Sequence, residues 1–326
     1  MPEPNPHSAT AKTSFTLGLD LGKQHIRLGL LDAADQLAHF QRIPYSFDRA
    51  DTRRGGQFVL DQMLAAARQV MDEQHQQPAL AAIGLALPGL IHHGAQRVVK
   101  LPYIPQFAEL DARAAFQQAF NVPVMLVNNA QAATFAEMQR GRAQGVSDWL
   151  YLHLGANVSA GLVLGGQLQY GKSGLAGALG EMTIDPECTG DFVTLESLVT
   201  ADNIVRRTSQ RLKRDSTSSL SRLGLAGQFT YSDILAAAES GDELARLMLQ
   251  RTGKFIGLAI CEVINLLNLS LIVVGGTPGA RQFLVPAIAE EAQRHTHPAL
   301  FGDCQIVGAE LGADATVVGA ALLAQK

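Results

Sequence analysis

Apolar residues along this chain fall into short blocks separated by glycine-containing turns, a rhythm that predicts alternating strands and helices. Phe15 to Gly22 and Ile26 to Asp32 are apolar runs on either side of Asp20-Leu21-Gly22-Lys23-Gln24, which predicts a β-hairpin. From Phe58 to Asp72 the apolar positions Phe58, Leu60, Met63, Leu64, Ala67, Val70 and Met71 recur at helical spacing. A strand is predicted over Ala81 to Ala86, ending in Leu87-Pro88-Gly89, and another over Val122 to Val127, which hands over to a helix beginning near Ala130. The opening then repeats. Trp149 to Leu154 and Ala160 to Leu164 read as a second hairpin, with Gly165-Gly166 turning the chain into Gln167-Leu168. Asp191 to Leu212 and Tyr231 to Leu266 read as mainly helical, and Leu271 to Val274 as a short buried strand before Gly275-Gly276. Two strand-turn-strand units, each opening about half of the chain, predict two similar lobes with a cleft between them.

Length sharpens that picture, since 326 residues exceed one comfortable core and suggest two domains. A hydrophobic content of 47% with 31 glycines fits a soluble α/β protein with many tight turns. The net charge of −4 gives no global electrostatic reason to bind nucleic acid or an anionic membrane. The longest apolar tract, Leu258 to Val274, is interrupted by Glu262, Asn265, Asn268 and Ser270, so it reads as an amphipathic helix running into a strand. The first fourteen residues lack a charged-then-apolar signal pattern, and a disordered tail is expected over residues 1–14. Cys188, Cys261 and Cys304 are few, distant and odd in number, which argues against a disulfide framework and fits a reducing cytoplasm.

Candidate chemistry centres on Asn128 and Asn129, placed where a strand hands over to a helix, a position favoured by ligand sites in α/β sheets. Alone, two adjacent Asn residues are as well explained by a turn. In context, Asn128-Asn129-Ala130-Gln131-Ala132-Ala133 resembles the Asn-Asp-Ala-Asn-Ala-Ala segment of the ROK family of bacterial sugar kinases and sugar-responsive repressors. Further landmarks follow in order over most of the chain. Gly18-Leu19-Asp20-Leu21-Gly22 resembles the first phosphate loop and Gly84 to Gly89 the sugar-side Pro-Gly turn. Gly155 to Gly161 resembles the second phosphate loop, Gly174 to Glu181 the run ending in Gly-Glu, Asn268 to Gly276 the adenosine-side strand, and Leu311 to Ala315 the closing turn. The resemblance implies an actin-like, ribonuclease-H-like α/β fold of two lobes with a cleft between them. It places residues 15–125 in the N-terminal lobe, 126–310 in the C-terminal lobe, and 311–326 packing back onto the first. It also implies a homo-oligomer, most often a dimer.

Departures from the family pattern concentrate where chemistry would occur. Asn129 occupies the position of the Asp that acts as general base, and a carboxamide has no useful proton affinity near neutral pH. Lys23 replaces the second glycine of the first loop, and Gly155-Ala156-Asn157-Val158-Ser159 replaces Gly-Thr-Gly-x-Gly in the second. The resemblance would put Asp20, Gly22, Lys23, Gly155, Gly275 and Gly276 at a nucleotide, with ATP and Mg as cofactors if kinase activity is retained. Many members carry a zinc-binding His followed by a cysteine cluster. Here Ile184 stands at the His position and Cys188 is the one thiol of the segment, so no structural zinc, and no other metal, is expected. On the carbohydrate side, Pro88, Gly89, Asn128, Asn129, Glu181 and Glu196 match sugar-facing positions. Two carboxylates and a carboxamide suit vicinal hydroxyls, although Glu181 capping a turn and Glu196 on a solvated helix face are the plainer alternatives.

Three functions are compatible with these residues. The first is a non-catalytic sugar sensor or pseudokinase that binds a sugar or sugar phosphate. The second is an ATP-dependent hexose or amino-sugar kinase with an unorthodox base such as Asp185 or a water. The third is a DNA-binding repressor, against which stand the roughly fourteen residues before the first strand, fewer than a helix-turn-helix needs. The basic run Arg206 to Arg214 reads as a solvated helix end. Direct nucleic-acid binding is therefore not expected.

Overall fold

The structure is a computed structural model that describes residues 14–23, 25–45, 55–73, 79–185, 193–213, 217–225 and 229–326. The first half runs β1 (Ser14–Leu21), β2 (His25–Leu31), β3 (Leu37–Pro44), α1 (Gly55–Asp72), β4 (Ala79–Leu87), β5 (Leu90–His92), β6 (Arg97–Lys100), α2 (Ala112–Phe120), β7 (Val124–Asn128) and α3 (Asn129–Arg140). The second runs β8 (Trp149–Leu154), β9 (Val158–Leu164), β10 (Gln167–Gln169), β11 (Thr183–Asp185), β12 (Val193–Thr194), α4 (Leu195–Val199), α5 (Ala201–Leu212), α6 (Leu220–Leu225), α7 (Tyr231–Glu239), α8 (Glu243–Leu267), β13 (Leu271–Gly275), α9 (Val285–His295), α10 (Pro298–Phe301), β14 (Gln305–Gly308) and α11 (Ala315–Ala324).

Two five-stranded sheets share one topology. Their strand orders are β3-β2-β1-β4-β7 and β10-β9-β8-β13-β14. In the first, β1 pairs antiparallel with β2 and parallel with β4, and β4 parallel with β7. In the second, β8 pairs antiparallel with β9 and parallel with β13, and β13 parallel with β14. The repeated hairpin openings of the sequence are therefore the first two strands of each sheet. The edge strand β3 is half exposed and lacks a clean apolar face, which is why hydrophobic periodicity did not predict it.

A helix pair fills the space between the sheets. α11 (ATVVGAALLA) is apolar all round and buried from Ala315 to Leu323, as such a helix must be. It lies on β1 and β4, and a Cβ at Gly18 or Gly84 would overlap the carbonyls of Val317 and Ala320. α3 lies on β8 and β9 and packs against α11. Residues from both helices, β8 and β13 form one apolar cluster, with separate clusters inside each lobe.

Three boundaries differ from expectation. The lobe boundary placed at residue 126 falls inside β7, which pairs with β4 up to Asn128. The helical stretch from Tyr231 to Leu266 is broken, because Asp242 caps α8 by accepting from Ala245 N–H at 2.9 Å. Its other carboxylate oxygen holds the Ser218 hydroxyl and Ser219 N–H. Ser14, expected in the tail, opens β1, while residues 1–13 lie outside the described part.

Candidate functional site

The junction of β7 with α3 places the two asparagines. Asn128 is the N-cap of α3: its Oδ1 accepts from Ala130 and Gln131 N–H, and its Nδ2 donates to Gly89 O at 2.6 Å. Asn129 is the first helical residue and is buried. Its Oδ1 accepts from Ala130 N–H at 2.9 Å, which turns its Nδ2 towards His153 Nε2, 3.3 Å away.

Around this junction lie two cavities. The larger, a cleft of about 1590 Å³, is lined by Asp20, Gly22, Lys23, Gly155, Gly275 and Gly276, together with Pro88 and Asn129. All six positions expected at a nucleotide thus share one cleft. The smaller, a chamber of about 80 Å³, is lined by Gly89, Asn128, Glu181 and Glu196, joined by Gln131, Asn157, Ser159 and Lys100. The expected sugar-side residues therefore divide, with Pro88 and Asn129 facing the cleft and the other four the chamber.

Among the described residues, no side chain lines both cavities. Four pairs of chain neighbours divide between them: Pro88 and Gly89, Pro102 and Tyr103, Asn128 and Asn129, Ala156 and Asn157. Contacts between the lobes lie beside this division. Tyr103 OH donates to Ala156 O at 2.6 Å, and Lys23 pairs with Asp202 while lying over the Tyr103 ring.

The cleft is electropositive. Asp20 is almost wholly buried and paired with Arg27, whose other arm donates to Ala313 O at 3.0 Å. Burial pushes the Asp20 carboxyl up, opposed by the Arg27 charge. Burial and the charges of Arg42 and Arg27 push His25 down. His153, buried on β8, is pushed down to about 4 by burial and by Arg27, and is neutral at physiological pH. Its imidazole lies against Gly155 and Gly276, where an added Cβ would come within 3.0 Å of the ring. Gly276, at φ 90°, also needs a conformation that side chains rarely adopt.

Both turns spend a backbone donor on their own closure. Gly22 N–H donates to His25 O at 2.9 Å and Gly155 N–H to Asn157 O at 3.0 Å, so each hairpin closes on its own donor. Lys23 is held by Asp202, and Arg27 supplies beside Asp20 the positive charge that a divalent cation would bring. The zinc segment is occupied differently too: Ile184 packs against the core of the second lobe. Cys188 lies outside the described residues, as does the Asp185 side chain.

The chamber is richer in acceptors than the sequence suggested. Glu196 is not on a solvated face: it accepts from Val158 N–H at 2.9 Å, and burial pushes its carboxyl up. Glu181 is exposed and stands 3.6 Å from Lys100. Asn157 and Ser159 are buried, and Asn157 Oδ1 and Ser159 Oγ have no hydrogen-bond partner. Sequence reasoning missed His153, Arg27 and Lys100, and read Asn157 and Ser159 as lost glycines. The signals were a lone His in Trp-Leu-Tyr-Leu-His-Leu and a lone Arg in His-Ile-Arg-Leu-Gly-Leu-Leu, each a polar intrusion in a buried strand.

Two lobes of matching topology, a cleft and a polar chamber at their junction define an α/β protein of the actin-like ATPase fold. Residues 16–326 match the ROK family, and the chain belongs to it. It is similar to a glucokinase of Halalkalibacterium halodurans, 26% identical over 318 residues covering 95% of this chain and 94% of that one. Among solved structures, a ROK family transcriptional regulator homologous to the Escherichia coli MLC protein superposes with a TM-score of 0.82 at 27% identity, covering 96% of this chain and 78% of that one. A ROK glucokinase from Streptomyces griseus, in complex with glucose and AMPPNP, superposes at 0.79 and 22% identity, covering 95% and 99%.

Proposed function

We propose that the protein is a sugar-binding member of the ROK family that senses its ligand with little or no phosphoryl transfer. The observation that carries this reading is the carboxamide of Asn129 at the head of α3, between the chamber-lining Asn128 and the cleft. Transfer requires a base beside the sugar hydroxyl as well as a phosphoryl group within reach, and a carboxamide supplies no base. Asn128, Gly89, Glu181 and Glu196 would hold the sugar. The acting species is a cytoplasmic homodimer in this reading, and signals to a protein partner.

The test pairs binding with turnover. Isothermal titration or thermal shift with glucose, mannose, xylose and N-acetylated hexosamines should find a ligand, because binding to the native state alone raises apparent stability. ADP release with MgATP and that same sugar should stay near background. A turnover of roughly 1–100 s⁻¹, the usual kinase range, overturns the reading.

One observation favours a second reading. His153 Nε2 faces the position of the missing carboxylate and is unprotonated at neutral pH, so a kinase using the Asn129–His153 pair in place of Asp is the alternative. The same ADP assay separates the two.

A further inference from the structure

Asn157 and Ser159 stand two residues apart where the second hairpin enters β9, and both line the small chamber. Residues spaced by two along a strand share a face. Both are at least nine-tenths buried, at 5% and 6% exposure, and Asn157 Oδ1 and Ser159 Oγ find no partner in the protein. An unsatisfied buried oxygen is costly, and native proteins rarely keep two side by side without something to bond them. The chamber shows what that partner must be. Two of its amide donors are engaged, Asn128 Nδ2 on Gly89 O at 2.6 Å and Gln131 Nε2 on Gly174 O at 3.3 Å. Its acceptors are the Glu181 and Glu196 carboxylates, Asn157 Oδ1 and Ser159 Oγ; its further donors are the Asn157 amide, the Ser159 hydroxyl and Lys100, the one cation among the described lining residues.

We propose that Asn157 and Ser159 are ligand-recognising residues, accepting hydroxyl protons of an uncharged polyol, and that the altered second hairpin has been converted from a phosphate-facing turn into part of the sugar pocket. The inference rests on the sugar-binding reading above and narrows it. Two carboxylates against one lysine make the chamber unfavourable for a phosphorylated ligand. The phosphorylated form of a bound sugar is therefore rejected.

The experiment is calorimetry on the full chain with D-glucose, D-mannose and N-acetyl-D-mannosamine, the best of them then compared with its 6-phosphate and its monodeoxy analogues. Asn157→Ala and Ser159→Ala are each expected to weaken the best neutral sugar by about 5–100-fold. The melting temperature of the unliganded variants should not fall, since no protein hydrogen bond is lost. One monodeoxy analogue should bind Ser159→Ala and the native protein alike, which identifies the hydroxyl that Ser159 meets. The 6-phosphate should bind at least about tenfold more weakly than the free sugar. Native binding with both variants within twofold overturns this inference alone. So does a fall in unliganded stability that matches the loss of affinity, or tighter binding of the 6-phosphate. If none of the neutral sugars binds the native protein, the sugar-binding reading fails and this inference falls with it.

Discussion

Asn129 Nδ2 donates to His153 Nε2 across the junction of the lobes, at 3.3 Å. The direction is fixed because Asn129 Oδ1 is occupied by Ala130 N–H. The imidazole therefore carries its proton on Nδ1, which has no partner and is buried. A carboxamide and a neutral ring thus meet at the head of α3, each carried on a buried element.

Acid sensitivity follows from His153. Its folded pKa of about 4 lies below the ordinary 6.5, so between these values the unfolded chain binds the extra proton. Its contribution to stability is full above pH 6.5 and is lost as pH falls towards 4. A shift of this size corresponds to roughly 3 kcal/mol. Urea unfolding at pH 7 and pH 4.5 should show His153→Gln losing less than the native protein by about 2 kcal/mol. Equal losses would exclude His153 as the acid-sensitive group.

Restoring the base alone will not restore a kinase. Asn129→Asp sets a carboxylate beside His153 but leaves Lys23 on Asp202 and Tyr103 on Ala156. ADP release by this variant should remain within about tenfold of the native background, where general-base recovery by itself is worth about 10²–10⁴. A rise of that larger size would mean that the base is the one part missing.

How far the sequence carried the fold is clear from these same residues. Strand alternation and the repeated glycine hairpins placed β1, β2, β4, β7, β8 and β9 because these strands are buried on both faces and read as apolar runs. The edge strand β3 and the two small ribbons escaped, since half-exposed strands carry no such signature. The six positions that motif order grouped line one cleft. What motifs could not express was which way each neighbour faces. Asn128 and Asn129 are adjacent in sequence and line different cavities, and that alternation is set by the strand-to-helix turn.

Glu137 should be among the least tolerant residues. Its fully buried carboxylate accepts from Glu310 N–H at 2.8 Å, Leu311 N–H at 2.9 Å and Arg142 N–H at 2.7 Å, pinning the closing turn to α3. Glu137→Ala strands three part-buried backbone donors and empties a buried site, and should cost about 2–3 kcal/mol, read by denaturant unfolding. A loss under about 1 kcal/mol would show that water or rearrangement satisfies them.

The clasp between the lobes should matter more for motion than for stability. Lys23 and Asp202 are partly exposed, and such pairs contribute about 0–1 kcal/mol. Lys23→Ala combined with Tyr103→Phe should therefore leave unfolding nearly unchanged while speeding hydrogen exchange at residues 155–158 several-fold. Unchanged exchange there would place the restraint elsewhere.

Metal analysis offers a separate check. Purified protein is expected to contain far less than one zinc per chain, because Ile184 packs into the core where a ligand His would stand. One equivalent of zinc held by residues 181 to 196 would contradict this.

The position of α11 has a consequence for how the molecule is made. The first lobe's sheet is translated early, yet the face formed by Gly18 and Gly84 is covered by a helix from the far end of the chain. Until that helix emerges, β1 and β4 present a bare apolar surface, and nearly all of the second lobe must be synthesised first. The first lobe therefore closes its core only once residues beyond the second lobe have joined it, which couples the folding of the two lobes.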